Sequence, residues 1–245
     1  MLDTKENPEP PIRSKPRPVA ELEQVGLEAD ASDIAGGGSP APIVRWDHEL
    51  IQKIVTPGAT VLDLGCGRGS LLAALRDNKR VIPQGVEVDT DKVAKCMQKG
   101  VPVLQLNLDD GILDFFPDRS FDFVILEKTL QTVTRPEQVL REMLRVGRVG
   151  VVSFPNFGHW RIREHIRTKG TMPVTPSLPH EWYNTPNIRM LTVLDFELFC
   201  ERNKVEIVER YSFADGEYGP MEEDDNFNAE EALYVLRRPA ASNGR

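Results

Sequence analysis

The chain carries little that would tie it to a membrane, a nucleic acid or an oxidising compartment. No run of 18 apolar residues occurs, and Met1 to Pro8 form no apolar leader. Cysteine is scarce: Cys66, Cys96 and Cys200 stand far apart, with no Cys-x-x-Cys spacing and no His cluster beside them. Neither a disulfide framework nor a structural metal is therefore expected, and a soluble, cytoplasmic protein is. Lys and Arg number 30 against 38 Asp and Glu, a formal charge of −8. Such a balance offers no footprint for phosphate backbones or anionic lipid, so nucleic acid is not an expected partner.

At 245 residues there is enough chain for one full core. Residues 1–42 hold Pro8, Pro10, Pro11, Pro16, Pro18, Pro40, Pro42 and Gly36-Gly-Gly-Ser39, a composition that cannot bury enough apolar surface to offset ordering entropy. The expected organisation is a disordered tail over 1–42, one domain over 43–240 and a short tail over 241–245. Val19 to Leu27 is weakly amphipathic and is either a partner-docking helix or loose coil.

The stretch that organises the rest is Val61-Leu-Asp-Leu-Gly-Cys-Gly-Arg-Gly69, an apolar strand breaking into three alternate glycines ahead of a helical Ser70 to Arg76. Glycines at 65, 67 and 69 let the backbone take positive φ and approach a ligand at a helix N-terminus; alternatively they form a turn with no ligand. Asp63 sits at the carboxyl end of the strand, where open α/β sheets place ligands, and a carboxylate there suits a cation. Glu87 ends the next apolar run 22 positions after Gly65, close to the spacing of a ribose-binding acid, with Val88 beside it. Ser70 stands where a dinucleotide motif needs its third glycine. A ligand with ammonium, sulfonium, carboxylate and ribose but no phosphate is S-adenosylmethionine.

Asp63 to Gly69 followed by Gly85-Val-Glu-Val-Asp89 resembles the class I methyltransferase signature. Val139 to Gly147, Ser153-Phe-Pro-Asn-Phe-Gly158 and Leu178 to Arg189 are similar to the MetW family of methionine biosynthesis proteins, a resemblance running from about Ile43 to Arg238. It implies an α/β, Rossmann-like class I methyltransferase fold with a mostly parallel seven-stranded sheet, helices on both faces and a reversed last strand. It also implies a cofactor site of Asp63, Gly65, Cys66, Gly67, Gly69, Glu87, Val88, Asn107, Leu108 and Glu127. Asn107 departs from the family's usual Asp, keeping an oxygen for the adenine amine and losing the charge, with the Leu108 backbone completing the contact; otherwise Asn107 is a turn residue. Glu127 and Gln131, after the fourth strand, face the methionine half of the cofactor. The implied partner is a homoserine O-acyltransferase.

Elsewhere, periodicity predicts helices at Trp46–Val55 with Asp47 as its cap, at a Thr90-capped segment ending near Gly100, from Pro136 to Gly147 and over Thr192–Lys204. Strands are expected at Val101–Leu106, Phe121–Leu126, Val149–Phe154, Val205–Phe213 and Ala232–Arg238. Trp46 is expected to pack on the domain, and Arg45 is left out of the site. Residues 155–190 read as an irregular insert over the site, whose aromatics Trp182 and Tyr183 wall a pocket, form a docking surface or merely cover the sheet. His159 reads as structural, Arg161 and Arg163 as exposed charges, Cys66 as a backbone contact, and Glu222-Glu-Asp-Asp225 as a solvated loop. Pro155-Asn-Phe157 only superficially resembles the tetrapeptide that nucleobase amino-methyltransferases place after the fourth strand. Three functions fit: a methyltransferase for a small acceptor, which needs positioning more than a base; a regulator of the acyltransferase; or a scaffold with no cofactor.

Overall fold

The computed structural model describes residues 45–111 and 115–238. The tails over 1–42 and 241–245, and the Val19–Leu27 segment, lie outside these residues. Helix α1 (Trp46–Ile54) leads into β1 (Thr60–Leu64), α2 (Ser70–Lys79), β2 (Ile82–Glu87), α3 (Thr90–Gln98) and β3 (Val103–Gln105). Next come β4 (Phe121–Glu127), α4 (Pro136–Val146), β5 (Gly147–Pro155), α5 (Trp160–Lys169) and α6 (Val193–Arg202). The chain closes with β6 (Glu206–Ala214), β7 (Glu217–Pro220), α7 (Asp225–Asn228) and β8 (Glu231–Arg237).

The strands form one sheet in the order β3-β2-β1-β4-β5-β8-β6-β7. The first five are parallel, and β8 runs antiparallel between β5 and β6. The sheet has eight strands, not the expected seven. The addition is β7, which pairs antiparallel with β6 across Asp215-Gly216. Both turn residues have positive φ, 51° and 87°, the backbone that suits a two-residue hairpin and that Asp-Gly readily takes. The acidic run after it is likewise not all solvated loop, because Asp225 is buried at the start of α7 and accepts from the Glu222 amide at 2.7 Å.

Local chemistry explains the boundaries. Asp89, not Thr90, caps α3, accepting from the Asp91 and Lys92 amides. Pro136 opens α4, and Thr192 with Asp195 forms a capping box on α6. Asp47 does not cap α1: Arg45 holds the cap position and Asp47 lies inside the helix, buried. Within 155–190, α5 was hidden by its polarity, since Ile162 is its one buried residue.

Strand alternation divides the core. Leu62, Leu64, Val124 and Leu126 pack with α4 and α6, while Val61, Phe123, Ile125, Leu233 and Val235 pack with α1 and α2. The parity of β1, β4 and β8 therefore directs Asp63, Glu127 and Glu231 to the α1 side. On the opposite side Phe154 is fully buried, 5.0 Å from Phe196 and stacked 5.9 Å from Tyr234. Phe154→Ala is expected to cost about 3–5 kcal/mol, read as a lower urea midpoint at unchanged slope.

Candidate functional site

The glycine loop turns sharply between β1 and α2. Gly65, Gly67 and Gly69 have φ of 81°, 55° and 72°. A Cβ at Gly65 would come 2.5 Å from the Thr129 hydroxyl and one at Gly69 2.9 Å from the Cys96 sulfur, so both are locked by packing as well as by φ. At Gly67 a Cβ would meet nothing within 4 Å, so there is space beside its Cα, while its N–H donates to Glu87 and its carbonyl accepts from the Cys96 thiol. Cys66 is buried, with its sulfur 3.8 Å from that of Cys96, and burial pushes its thiol far up, so it is no nucleophile.

Glu87 is buried and held by three backbone amides: Gly67 donates to Oε2 at 2.9 Å, and Val88 and Asp89 donate to Oε1 at 2.9 and 3.0 Å. Oε2 keeps a lone pair for a further donor, whereas Oε1 already accepts two. Val88 is 61% exposed beside it, an apolar shelf at the rim. Asn107 is exposed, and its Oδ1 accepts from the Asp109 amide at 3.1 Å to cap the short 3-10 turn Leu108–Asp110. Asp109 is occupied too, accepting from the Thr134 and Arg135 amides ahead of α4.

The strand ends bring together residues that spacing did not connect. Glu127 accepts from the Arg45 guanidinium and lies 3.0 Å from His48 Nε2. Arg45 also donates to Asp47 Oδ1 at 3.3 Å. Glu231 accepts from Trp46 Nε1 at 2.6 Å and pairs with Lys128 at 2.8 Å, and Lys128 reaches to 3.7 Å from Asp47 Oδ2. Trp46 does pack on the domain, stacking 5.4 Å from Phe213. Arg45, left out of the expected site, contacts Glu127, one of the expected site residues. Pairings such as Arg45 with Glu127 span 82 positions and leave no local signal; the one hint was an acid, Glu127, ending an apolar strand.

Three buried side-chain oxygens among the described residues lack a hydrogen-bond partner: Asp47 Oδ2, Asp63 Oδ1 and Gln131 Oε1. All are acceptors that a donor-bearing cation would satisfy. Burial, then the fields of Glu127 and Glu87, hold the Asp63 carboxyl well above its usual range. Burial and Glu127 raise Asp47 to about 6. Glu127 goes the other way: burial would raise it, but His48 and Arg45 together pull it below the usual range. Asp47, His48 and Glu127 place one ligand atom each within 4.8 Å of one another, the spacing of a metal site. Arg45 and Lys128 stand against this cluster, offset part of its charge and would oppose a divalent ion, so it is an ion-pair network.

The insert does not wall a closed pocket. Trp182 and Tyr183 are 73% and 70% exposed and meet edge to face. The insert is tied to the site where the Ile188 and Arg189 amides donate to the Gln131 carbonyl. His159 is buried, and burial with Arg161 and Arg163 nearby lowers it to about 4, so it stays neutral; it lines a cavity of about 170 Å³ with Arg161, Ser177 and Glu230. Arg161 pairs with Asp215 and Glu230. Asn156 spends its amide on structure, donating to Ala229 and accepting from Gly158 and Val193.

Residues 45–236 match the family model described as methionine biosynthesis protein MetW. The bifunctional methionine biosynthesis protein MetXA/MetW of Rhodopirellula baltica is 38% identical over 205 residues, covering 78% of this chain and 32% of that protein. The nocamycin O-methyltransferase of Saccharothrix syringae is 30% identical over 136 residues, covering 49% of this chain and 47% of that one. The chain thus spans about a third to a half of the length of these relatives. Among solved structures, an S-adenosylmethionine-dependent methyltransferase of Mesorhizobium loti aligns with TM-score 0.58 at 16% identity, covering 78% of this chain and 96% of that one. A possible histamine N-methyltransferase of Thermotoga maritima gives the same score and identity over 78% and 87%. The fold is that of class I S-adenosylmethionine-dependent methyltransferases.

Asp63 and Asp47 bind their protons more tightly folded than unfolded, so each weakens the folded state as pH rises above the ordinary carboxyl value of 3.8, Asp47 up to about 6. Glu127 has the opposite sign, and its contribution is lost as pH falls below 4.5. Asp63→Asn is therefore expected to raise the Tm of the ligand-free protein at pH 8 and to lose that advantage at pH 4. Scanning calorimetry at both pH values checks this; a variant no more stable than wild type at pH 8 would refute it.

Proposed function

We propose a function from the premise that the chain belongs to the MetW family of methionine biosynthesis proteins: it binds S-adenosylmethionine at the glycine loop and acts with a homoserine O-acyltransferase to support or regulate O-acylhomoserine formation. The observation that carries the ligand is the orphaned, buried Asp63 oxygen in the same β-α-β unit as a Glu87 pre-oriented by three amides, with open space beside the Gly67 Cα. In this assignment Asp63 receives the ammonium, Glu87 the ribose hydroxyls, Val88 and Asn107 with the Leu108 backbone the adenine side, and Glu127 the methionine half. Asn107 does so with the lone pair that its cap leaves over. When bound, S-adenosylmethionine supplies a sulfonium methyl group and a measure of the pathway's end product. The partnership is supported by the Rhodopirellula relative, whose name joins MetXA and MetW in one chain.

A second function, methyl transfer to a small acceptor, is favoured by the fold and by the nocamycin O-methyltransferase relative. Two experiments separate the cases. Glu87→Ala should weaken S-adenosylmethionine binding at least tenfold by equilibrium dialysis while leaving the circular dichroism unchanged; undiminished binding points to a cofactor-free scaffold. The organism's purified homoserine O-acyltransferase should run at least twofold faster with this protein than without it, and the increment should respond to S-adenosylmethionine. An unchanged rate removes the partner role and returns the chain to the methyltransferase class. A rate that rises but ignores the ligand keeps the partnership and removes the feedback, whose coupling would be about 1–3 kcal/mol.

A further inference from the structure

The carboxyl ends of three parallel strands and the amino end of the reversed β8 bring carboxylates together. Asp63 on β1, Glu87 on β2, Glu127 on β4 and Glu231 on β8 all lie at the α1-facing end of the sheet, and α1 adds Asp47. Asp47, Asp63, Glu87 and Glu231 are 0%, 2%, 6% and 5% exposed, and the Glu127 side chain is 10% exposed. Among the described residues, the ion pairs these carboxylates make run to Arg45 and Lys128, with His48 on Glu127. Arg45 is taken by Glu127 and Asp47, and Lys128 by Glu231. The orphaned atoms Asp47 Oδ2, Asp63 Oδ1 and Gln131 Oε1 are all oxygens. One ligand ammonium would satisfy part of this excess and leave the rest uncompensated.

We propose that this site selects its ligand by charge, Asp47, Asp63 and Glu127 favouring the sulfonium cation S-adenosylmethionine over the neutral thioether S-adenosylhomocysteine. The proposal rests on S-adenosylmethionine binding here, and it assigns the same site its specificity. The two molecules share adenine, ribose, ammonium and carboxylate, so those groups cannot discriminate. What differs is one methyl and one unit of positive charge, and in a poorly hydrated carboxylate cluster the charge is the larger effect. In the ligand-free protein the charged groups acting on Asp47 and Asp63 are Arg45 just ahead of α1, Glu127 at the end of β4, Lys128 just after it and Glu87 from β2, while His48 of α1 meets Glu127 and Glu231 of β8 pairs with Lys128. Burial and mutual repulsion bias the Asp47 and Asp63 carboxyls toward their protonated forms, and an entering cation favours the ionised forms, so binding is expected to release protons to the buffer.

Titration calorimetry of the full chain with S-adenosylmethionine, S-adenosylhomocysteine and sinefungin, whose amine replaces the methylated sulfur, tests this in buffers of differing ionisation enthalpy at pH 6.5. The sulfonium ligand should bind at least tenfold tighter than the thioether, about 1.4 kcal/mol. Sinefungin should side with the sulfonium, and both cations should release more protons than the thioether. Glu127→Gln should narrow the preference at least threefold. Equal or tighter thioether binding, sinefungin siding with the thioether, or a preference unchanged in both Glu127→Gln and Asp47→Asn overturns charge selection alone. If none of the three binds, the cofactor assignment fails and charge selection fails with it. The wild-type comparison of three ligands stands even if a variant does not fold.

Discussion

Burying carboxylates at the end of a sheet is the constraint on which the rest of this molecule depends. A lone ionised carboxylate in an apolar interior is prohibitively costly, so each must gain a donor, a cation or a proton. This chain uses all three. Glu87 takes backbone amides, Glu127 and Glu231 take Arg45, His48, Trp46 and Lys128, and burial with the neighbouring carboxylates biases Asp63 toward holding a proton. Because Arg45, Trp46 and His48 are the first residues of α1 or adjoin it, the solution to the charge problem is also what fastens that helix over the glycine loop. Removing one partner from such a pair leaves the other charge buried alone, which is why these contacts are structural even where they sit beside the ligand.

On the proposed assignment, that dual use would link ligand state to the lead end of the domain. Arg45 and His48 contact Glu127, an acid assigned to the methionine half of the ligand, so a cation arriving there competes with the helix for the same oxygens. A site that must report occupancy to another protein needs a contact whose strength differs between the filled and empty states. The Glu127 contacts have that property, whereas Glu87, fixed by the local backbone, does not.

How much of this was legible in the sequence follows from the range of each interaction. The glycine loop, Asp63 and Glu87 lie within one β-α-β unit, and their spacing is set by local geometry. Strand order and the reversal of β8 came with the family resemblance. The eighth strand was missed although Asp215-Gly216 is a strong hairpin signal, because the surrounding acidity was read as solvation. Helix α5 was missed because a helix that buries only Ile162 shows little apolar period. The α1 network was invisible for a different reason: Trp46 with Glu231 bridges 185 positions, and no pattern within a window can reveal a tertiary pair. The acids Asp63 and Glu127 near the ends of apolar strands share the parity that sets them on one face, whereas Glu231 opens the reversed β8, one residue ahead of the strand expected from Ala232.

The same carboxylates bear on whether this scaffold is built for catalysis. In methyl transfer the positive charge leaves sulfur as the methyl moves to the acceptor, so the transition state carries less charge at sulfur than the ground state. Carboxylates that stabilise the full sulfonium deepen the ground state more than the transition state, and only interactions that strengthen in the transition state raise the rate. An enzyme would also have to release its thioether product readily. A sensor of the pathway's end product faces neither demand and benefits from tight, cation-selective binding. Charge selection, where it holds, therefore favours the regulatory function over methyl transfer on thermodynamic grounds that need no knowledge of the acceptor.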